Sequence, residues 1–79
     1  MDPSWAESVC VRLSIHPEPG VRGNAVLGLG HIARLHGALQ AHSFRVIAEA
    51  RGDPHPYVRN HAESGADDVE VLLGEKIPK

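Results

Sequence analysis

The sequence predicts an all-α protein with four helices, arranged as two stacked antiparallel helix pairs in a short α-solenoid. The first observation is a pattern that returns after 37 residues: His16–Ala25 reads HPEPGVRGNA and Asp53–Ala62 reads DPHPYVRNHA. A period between about 20 and 50 residues is typical of repeat proteins. The second observation is that apolar residues are spaced three and four apart, and that no stretch alternates apolar and polar residues as a half-buried strand would.

The repeat divides the chain into two units of one domain. We expect a single domain over 1–79, with repeat 1 at about 3–37, repeat 2 at about 38–74 and a tail at 75–79. A domain of this size buries only a little more than half of its unfolded surface, so its stability margin should be small. Since about three repeats are usually needed for a stable stack, two units require well-formed ends or extra surface from a partner.

The composition excludes several classes of function. The net charge is −2 with the six His uncounted, so there is no excess of positive charge for binding nucleic acid. A single Cys excludes an intrachain disulfide and a Cys-rich zinc site. There is no long apolar run to form a transmembrane helix, and the first residues lack the order of a signal peptide. We therefore expect a cytoplasmic protein that binds neither nucleic acid nor membrane.

The first helix is predicted over 3–15. Pro3 is favourable in a first helical turn, and Ser4 and Glu7 have the spacing of a capping box. The helix should end before Pro17, because a residue that precedes Pro avoids the helical conformation. Its apolar stripe is expected to contain Trp5, Val9 and Leu13.

The second helix should run from Pro19 to about His36 and end at Gly37, a residue suited to a left-handed C-cap. Its core face is expected to contain Val21, Ala25, Gly28, Leu29, Ile32 and Leu35. A helical projection places a further apolar set away from that face: Gly23, Val26, Leu27, Gly30 and Ala33. A helix that is apolar nearly all round is normally buried, so either a neighbouring helix or a partner should cover this second set.

The third helix is predicted over about 38–51 and the fourth over about 56–73, with Gly74 as the C-cap of the fourth. The inner stripe of the fourth helix should contain Val58, Ala62, Ala66, Val69, Leu72 and Leu73. Its outer side is acidic and contains Asn60, Glu63, Ser64, Asp67, Glu70 and Val71, with Asp68 beside them. Such a charged face is usually only solvated. Asp is a poor helix former in mid-helix, however, so the alternative is that Asp67 and Asp68 are there to bind a partner.

The two units resemble the second helix of the HEAT repeat, and most of all its short, lyase-like bacterial variety. In the first unit the matching residues are Pro17 to Arg22, Ala25, Leu29, Gly30 and Ile32. In the second unit they are Pro54, Val58, Arg59, Ala62, Val69 and Leu72. The resemblance implies a structural ladder in which Arg22 and Arg59 pair with acidic residues of neighbouring turns. Asp53 is the acid available for that ladder.

The residues that could support catalysis do not form a recognised pattern. No pair of the six His has the spacing of a helical zinc site, and His-Glu-x-x-His does not occur. HEAT-like di-iron hydroxylases place His-Glu just after the Val-Arg position, where this chain has Gly23-Asn24 and Asn60-His61. Cys10 falls on an apolar stripe and is expected to be a buried small hydrophobe. We therefore predict no catalytic residue, no metal site and no cofactor.

These features predict a non-enzymatic module that binds another protein, and small HEAT-like proteins of this kind resemble the immunity proteins of bacterial toxin systems. The resemblance implies a basic toxin domain as the partner, whose substrate site the carboxylates would cover by mimicking phosphates. The expected partner-binding residues are Asn60, Glu63, Asp67, Asp68, Glu70, Val71, Val26 and Leu27. Two alternatives stay open. One is a HEAT-type accessory subunit or a metal-dependent lyase- or hydroxylase-like enzyme, and the other is a homodimer that buries the second helix.

Overall fold

A computed structural model describes residues 3–74, with only the backbone described at Pro3 and Leu72. The helices of this part are α1 (Pro3–Leu13), α2 (Pro19–His36), α3 (Ala41–Ala50) and α4 (Pro56–Leu73), and it contains no strand. The predicted all-helical class and the four helices are therefore confirmed. The predicted tail at 75–79 lies outside the described residues. Nowhere between residues 3 and 74 does a helix combine the length and apolar character needed to cross a membrane.

α2 and α4 begin and end in the same way. Each starts with Pro after an extended N-cap residue, Glu18 for α2 and His55 for α4. Each is followed by Gly in the left-handed conformation, with φ of 69° at both Gly37 and Gly74. A residue with a side chain would be strained there, so glycine is the natural end of both helices. The bounds predicted for α2 and α4 are confirmed.

α1 and α3 are shorter than predicted. α1 ends at Leu13, where the hydroxyl of Ser14 donates to the carbonyl of Val11 at 2.6 Å and closes the last turn. α3 begins at Ala41, because Gln40 is extended and its N–H donates to the carboxylate of Glu7 at 2.7 Å. A side chain of α1 therefore sets the start of α3.

α2 lies at the centre of the fold, since it packs against α1 and α4, while α3 packs mainly against α4. α2 and α4 run side by side in the same direction: Gly23 lies under the ring of Tyr57, and Gly30, further along α2, faces Gly65. Small residues at these positions let the two helices approach closely. The buried core contains Val26, Leu29, Ala33, Ile47, Ala50, Val58, Ala62, Ala66 and Val69.

The packing corrects the predicted faces of α2. Val26 is only 1% exposed, so it belongs to the core and is not a partner-binding residue, and Leu27 is half-buried. Leu35, expected in the core, is 75% exposed, and Trp5 of α1 is 61% exposed. The reason is that α4 covers the side of α2 that was assigned to a partner. The same packing covers, within one chain, the face on which a homodimer was expected.

Candidate partner-binding surface

A bidentate ion pair fixes the start of α2 to the turn before α4. Arg22 donates through Nε and Nη2 to the two carboxylate oxygens of Asp53, at 2.9 and 3.0 Å. Its Nη1 donates to the carbonyls of His16 and Pro17, both at 3.0 Å. The hydrogen bond from Arg22 holds the pKa of Asp53 below its ordinary value. Two of the three residues that were predicted to be structural, Arg22 and Asp53, are thus joined through their side chains.

Arg59 occupies the corresponding place at the start of α4. Its Nη1 donates to the carbonyls of Asp53 at 2.8 Å and Pro54 at 2.9 Å, the same two positions relative to the arginine that Arg22 uses. Arg59 differs from Arg22 at the other edge of its guanidinium, because no group within residues 3–74 accepts a hydrogen bond from its Nε or Nη2. Arg59 is therefore joined to the main chain of Asp53 and not to its carboxylate.

The outer side of α4 corresponds, in repeat register, to the side of α2 that packs on α4. On α2 this side contains Gly23, Val26 and Gly30, which lie against α4. The residues 37 positions later are Asn60, Glu63 and Asp67, and Glu70 follows the buried Ala33 by the same distance. Together with the neighbouring exposed Val71, we name this set the end face: Asn60, Glu63, Asp67, Glu70 and Val71. None of the helices described within residues 3–74 covers it, since Val71 is 82% exposed and Glu63 is exposed.

A guanidinium from the end of α3 lies beside the end face. Arg51 donates through Nε and Nη2 to the carboxylate of Glu63, at 2.9 and 3.2 Å. The hydrogen bond with Glu63, and then the charges of Glu70 and Asp67, raise the pKa of Arg51. The carboxylates of Glu63, Glu70 and Asp67 therefore all act on the Arg51 guanidinium. A surface depression of about 550 Å³ adjoins it, lined by Ala48, Glu49, Arg51, Gly52 and Glu63.

Asp68 does not belong to the end face. It lies on the side of α4 that meets α2, where its carboxylate accepts a hydrogen bond from Arg34 Nη2 at 2.9 Å. Arg34 is exposed and Asp68 is half-buried, so the pair is a weak surface contact. The acidic strip expected from the sequence is therefore split between two sides of α4, with Glu63, Asp67 and Glu70 on the outer side.

An exposed cluster on the seam between α2 and α4 was not predicted from the sequence. The hydroxyl of Tyr57 donates to Asn24 Oδ1 at 2.8 Å, and its ring meets His61 edge-on with centroids 4.5 Å apart. The glycine at position 23 makes room for this ring. A signal was present, because repeat register pairs Tyr57 with Gly20, and an aromatic residue in place of glycine indicates a contact peculiar to the second unit.

The side chains that could hold a metal or act as nucleophiles are scattered. Within residues 3–74 no group of three or more His, Cys, Asp or Glu converges closely enough to bind a metal ion. Burial, with the charge of Glu7, raises the pKa of the Cys10 thiol and disfavours the reactive thiolate. Glu7 is itself buried and accepts hydrogen bonds from the N–H of Gln40 and the hydroxyl of Ser43. These contacts make Glu7 a structural carboxylate that caps α3.

Comparison with known proteins gives a partial match to a longer protein. The tetraacyldisaccharide 4'-kinase of Alkalilimnicola ehrlichii is 42% identical to this chain over 60 residues. These residues are 76% of this chain but 18% of the kinase, so the chain spans less than a fifth of that relative. No protein-family description matches the chain, and no solved structure matches it.

Proposed function

We propose that the chain is a non-enzymatic protein-binding module built from two HEAT-like units, α1–α2 and α3–α4, stacked as antiparallel helix pairs. The equivalent use of Arg22 and Arg59 supports this, because each donates to two carbonyls of the turn before its helix. The matching left-handed glycines after α2 and α4 add to the support. In a stack of this kind each unit buries a side of its neighbour, and the end face is the side on which a third unit would lie.

The end face is the observation that carries the proposal of a partner. Apart from Val71, it occupies positions at which α2 is buried, yet it presents three carboxylates next to the exposed Val71. Negative charge beside an apolar side chain suits a basic partner, which is steered by charge and held by close contact. We propose that this partner is a toxin domain in the cytoplasm and that the chain is its immunity protein. In that role Glu63, Asp67 and Glu70 take the place of substrate phosphates.

A second candidate is an accessory subunit of an enzyme, and the match to a kinase favours it. The related segment occupies 18% of that longer protein, as expected if helical segments of this kind are joined to enzymes or work beside them. The kinase activity itself is not proposed for this chain. Its Gly28-Leu29-Gly30 lies inside α2 and not in a loop after a strand, so it is unsuited to holding phosphates.

Site-specific photo-crosslinking in the host cell tests the proposal. Benzoylphenylalanine placed at Asn60, on the end face, should form a covalent adduct with another protein. The same residue placed at Arg12 of α1 or Arg45 of α3, both exposed, is the control and should form none. Peptides of the captured protein identify it as a toxin domain or an enzyme, which separates the two candidates. No adduct at Asn60, or equal adducts at all three positions, would contradict the proposal.

Neutralising the end face tests the role of its charge. The variant Glu63→Gln, Asp67→Asn and Glu70→Gln should reduce the adduct at Asn60 and make it less sensitive to salt, because screened Coulomb attraction is what the change removes. Glu18→Gln, which changes an exposed carboxylate just before α2, is the single-charge control. An unchanged adduct would rule out phosphate mimicry while leaving protein binding intact.

A further inference from the structure

We propose that Arg59 anchors a carboxylate of the partner protein, through the Nε and Nη2 donors that have no acceptor within residues 3–74. This inference rests on the proposed function and names the chemistry that the partner presents at the end face. It comes from comparing two arginines in equivalent positions. Both bond two carbonyls through Nη1, and Arg22 also holds the carboxylate of Asp53 on its second edge.

The main chain holds the Arg59 guanidinium in place before any partner arrives. The Nη1 bonds of Arg59 are 2.8 and 2.9 Å long, against 3.0 Å for both bonds of Arg22. A planar guanidinium held through one nitrogen presents its remaining edge in a defined direction, which suits a bidentate bond to a carboxylate. Because the side chain is already ordered, less conformational entropy is lost when that bond forms.

The position of Arg59 defines the arrangement of charges on the partner. Arg59 lies one helical turn before Glu63, so it borders the end face at the start of α4. A protein that covers both must place a carboxylate opposite Arg59 and positive groups opposite the acids further along the helix. Asp53, which fills the equivalent place on Arg22, lies just before α4. By the same geometry, the carboxylate of the partner should lie just before a helix.

A second copy of this chain does not supply that carboxylate. Stacked in repeat register on the end face, a second copy would bring His16 to the place of Asp53, because the two are 37 residues apart. The His16 ring is also engaged locally, since its Nδ1 accepts a hydrogen bond from the N–H of Glu18 at 3.0 Å. The occupant that we propose is therefore a different protein.

NMR of the unmodified protein tests the second edge of Arg59 directly. Acetate is added in place of chloride at constant ionic strength, and the arginine Nε–H signals are followed. We expect the Arg59 signal to shift several-fold more than those of Arg12 and Arg45, which are exposed and not held by the main chain in the described structure. The Arg22 signal should not move, because Asp53 occupies its edge. Equal shifts at Arg59, Arg12 and Arg45 would overturn the proposal.

The crosslink from Asn60 then tests the partner. Arg59→Lys keeps the charge but loses the bidentate geometry, so the adduct should fall by about tenfold. Arg45→Lys should leave the adduct unchanged, and thermal unfolding of both variants shows whether they fold. A folded Arg59→Lys protein with an undiminished adduct would overturn this inference and leave the proposed function standing. An adduct formed only between two copies of the chain would overturn both. If Arg59→Lys does not fold, the acetate titration decides. If the protein with benzoylphenylalanine at position 60 and Arg59 unchanged forms no adduct, the proposed function is contradicted instead.

Discussion

Arg22 and Asp53 show how one pair of residues sets the relation between α2 and α4. The arginine lies in the first turn of α2, and the acid lies in the turn that leads into α4. Asp53 also accepts a hydrogen bond from the N–H of His55, the N-cap residue of α4, at 2.9 Å. Both side chains are half-buried, so water and salt screen their attraction less than that of a surface pair. The carboxylate therefore positions a neighbouring helix and also shapes its own turn.

Asp53→Asn should lower the free energy of unfolding at neutral pH by about 1–2 kcal/mol, because hydrogen bonds to a charged group are lost while Oδ1 still accepts from His55. The pKa of Asp53 is depressed in the folded protein, so the pair stabilises the fold above the ordinary Asp pKa of 3.8. That contribution is lost as the pH falls through the lower folded-state value. Urea unfolding of the two proteins should therefore differ at neutral pH and converge in acid. Glu49→Gln is the control, and a pH-independent difference for Asp53→Asn would contradict the assignment.

Gly23→Ala should destabilise the seam between α2 and α4. An added Cβ would lie 2.6 Å from two carbons of the Tyr57 ring, so the ring must move and give up its hydrogen bond to Asn24. Overpacking costs about 1–3 kcal/mol and alanine gains about 1 kcal/mol in helix propensity, which leaves a net loss of about 1 kcal/mol. Gly20→Ala is the matched control, since nothing lies within 4 Å of its added Cβ, and it should be neutral or stabilising. Thermal unfolding checks both, and equal effects would argue against close packing at Gly23.

At the scale of helices, sequence alone predicts the features that depend on residues within one helical turn of each other. Pro and Gly define α2 and α4 locally, so the bounds of both helices were predicted correctly. The start of α3 was not predictable, because it depends on Glu7, which is 33 residues away from Gln40. Periodicity likewise identified two apolar sides of α2 but not their neighbours. Val26 was therefore assigned outwards and Leu35 inwards, and both assignments were wrong.

The candidate site was likewise predictable in its local features but not in its contacts between helices. The acidic residues of α4 are visible in the sequence, but their grouping depends on cations from other helices. Arg51 of the α3 end pairs with Glu63, and Arg34 of α2 pairs with Asp68 on the opposite flank. A helical projection places Asp68 beside the acidic strip because it contains no information about either arginine.

Glu7→Ala should loosen the start of α3 more than any other helix. The N–H of Gln40 and the hydroxyl of Ser43 would lose their shared acceptor. Loss of a helix cap costs about 1–2 kcal/mol, and the buried donors left without an acceptor add to this. Hydrogen-exchange mass spectrometry should show faster exchange at 40–44 than in α2. Glu49→Ala, exposed on the same helix, should leave exchange unchanged. A uniform increase over all helices would show that Glu7 has no local role.

For the molecule as a whole, the end face would meet two requirements of the two-unit stack that we propose. Its positions, apart from Val71, correspond to buried positions of α2, so apolar side chains there would leave a helix-packing surface open to solvent. Terminal units of repeat proteins avoid this by carrying a polar outer side. The carboxylates of Glu63, Asp67 and Glu70 meet that need, and they also select for positive charge in whatever covers them. In the function that we propose, resistance to self-association and recognition of a basic partner would thus depend on the same side chains.

Replacing the carboxylates of the end face with small apolar residues, like those on the buried side of α2, should make the protein self-associate. The variant Glu63→Val, Asp67→Ala and Glu70→Ala replaces three carboxylates with small apolar groups next to the exposed Val71. Light scattering after size exclusion should then show dimers or larger species whose fraction rises with concentration, because burial of an exposed apolar patch between two chains is favourable. The matched variant Glu63→Gln, Asp67→Asn and Glu70→Gln removes the same charge, keeps the face polar and should retain the mass of the unmodified protein. Equal association of the two variants would mean that charge repulsion alone keeps the chains apart, and that the end face is not a helix-packing surface.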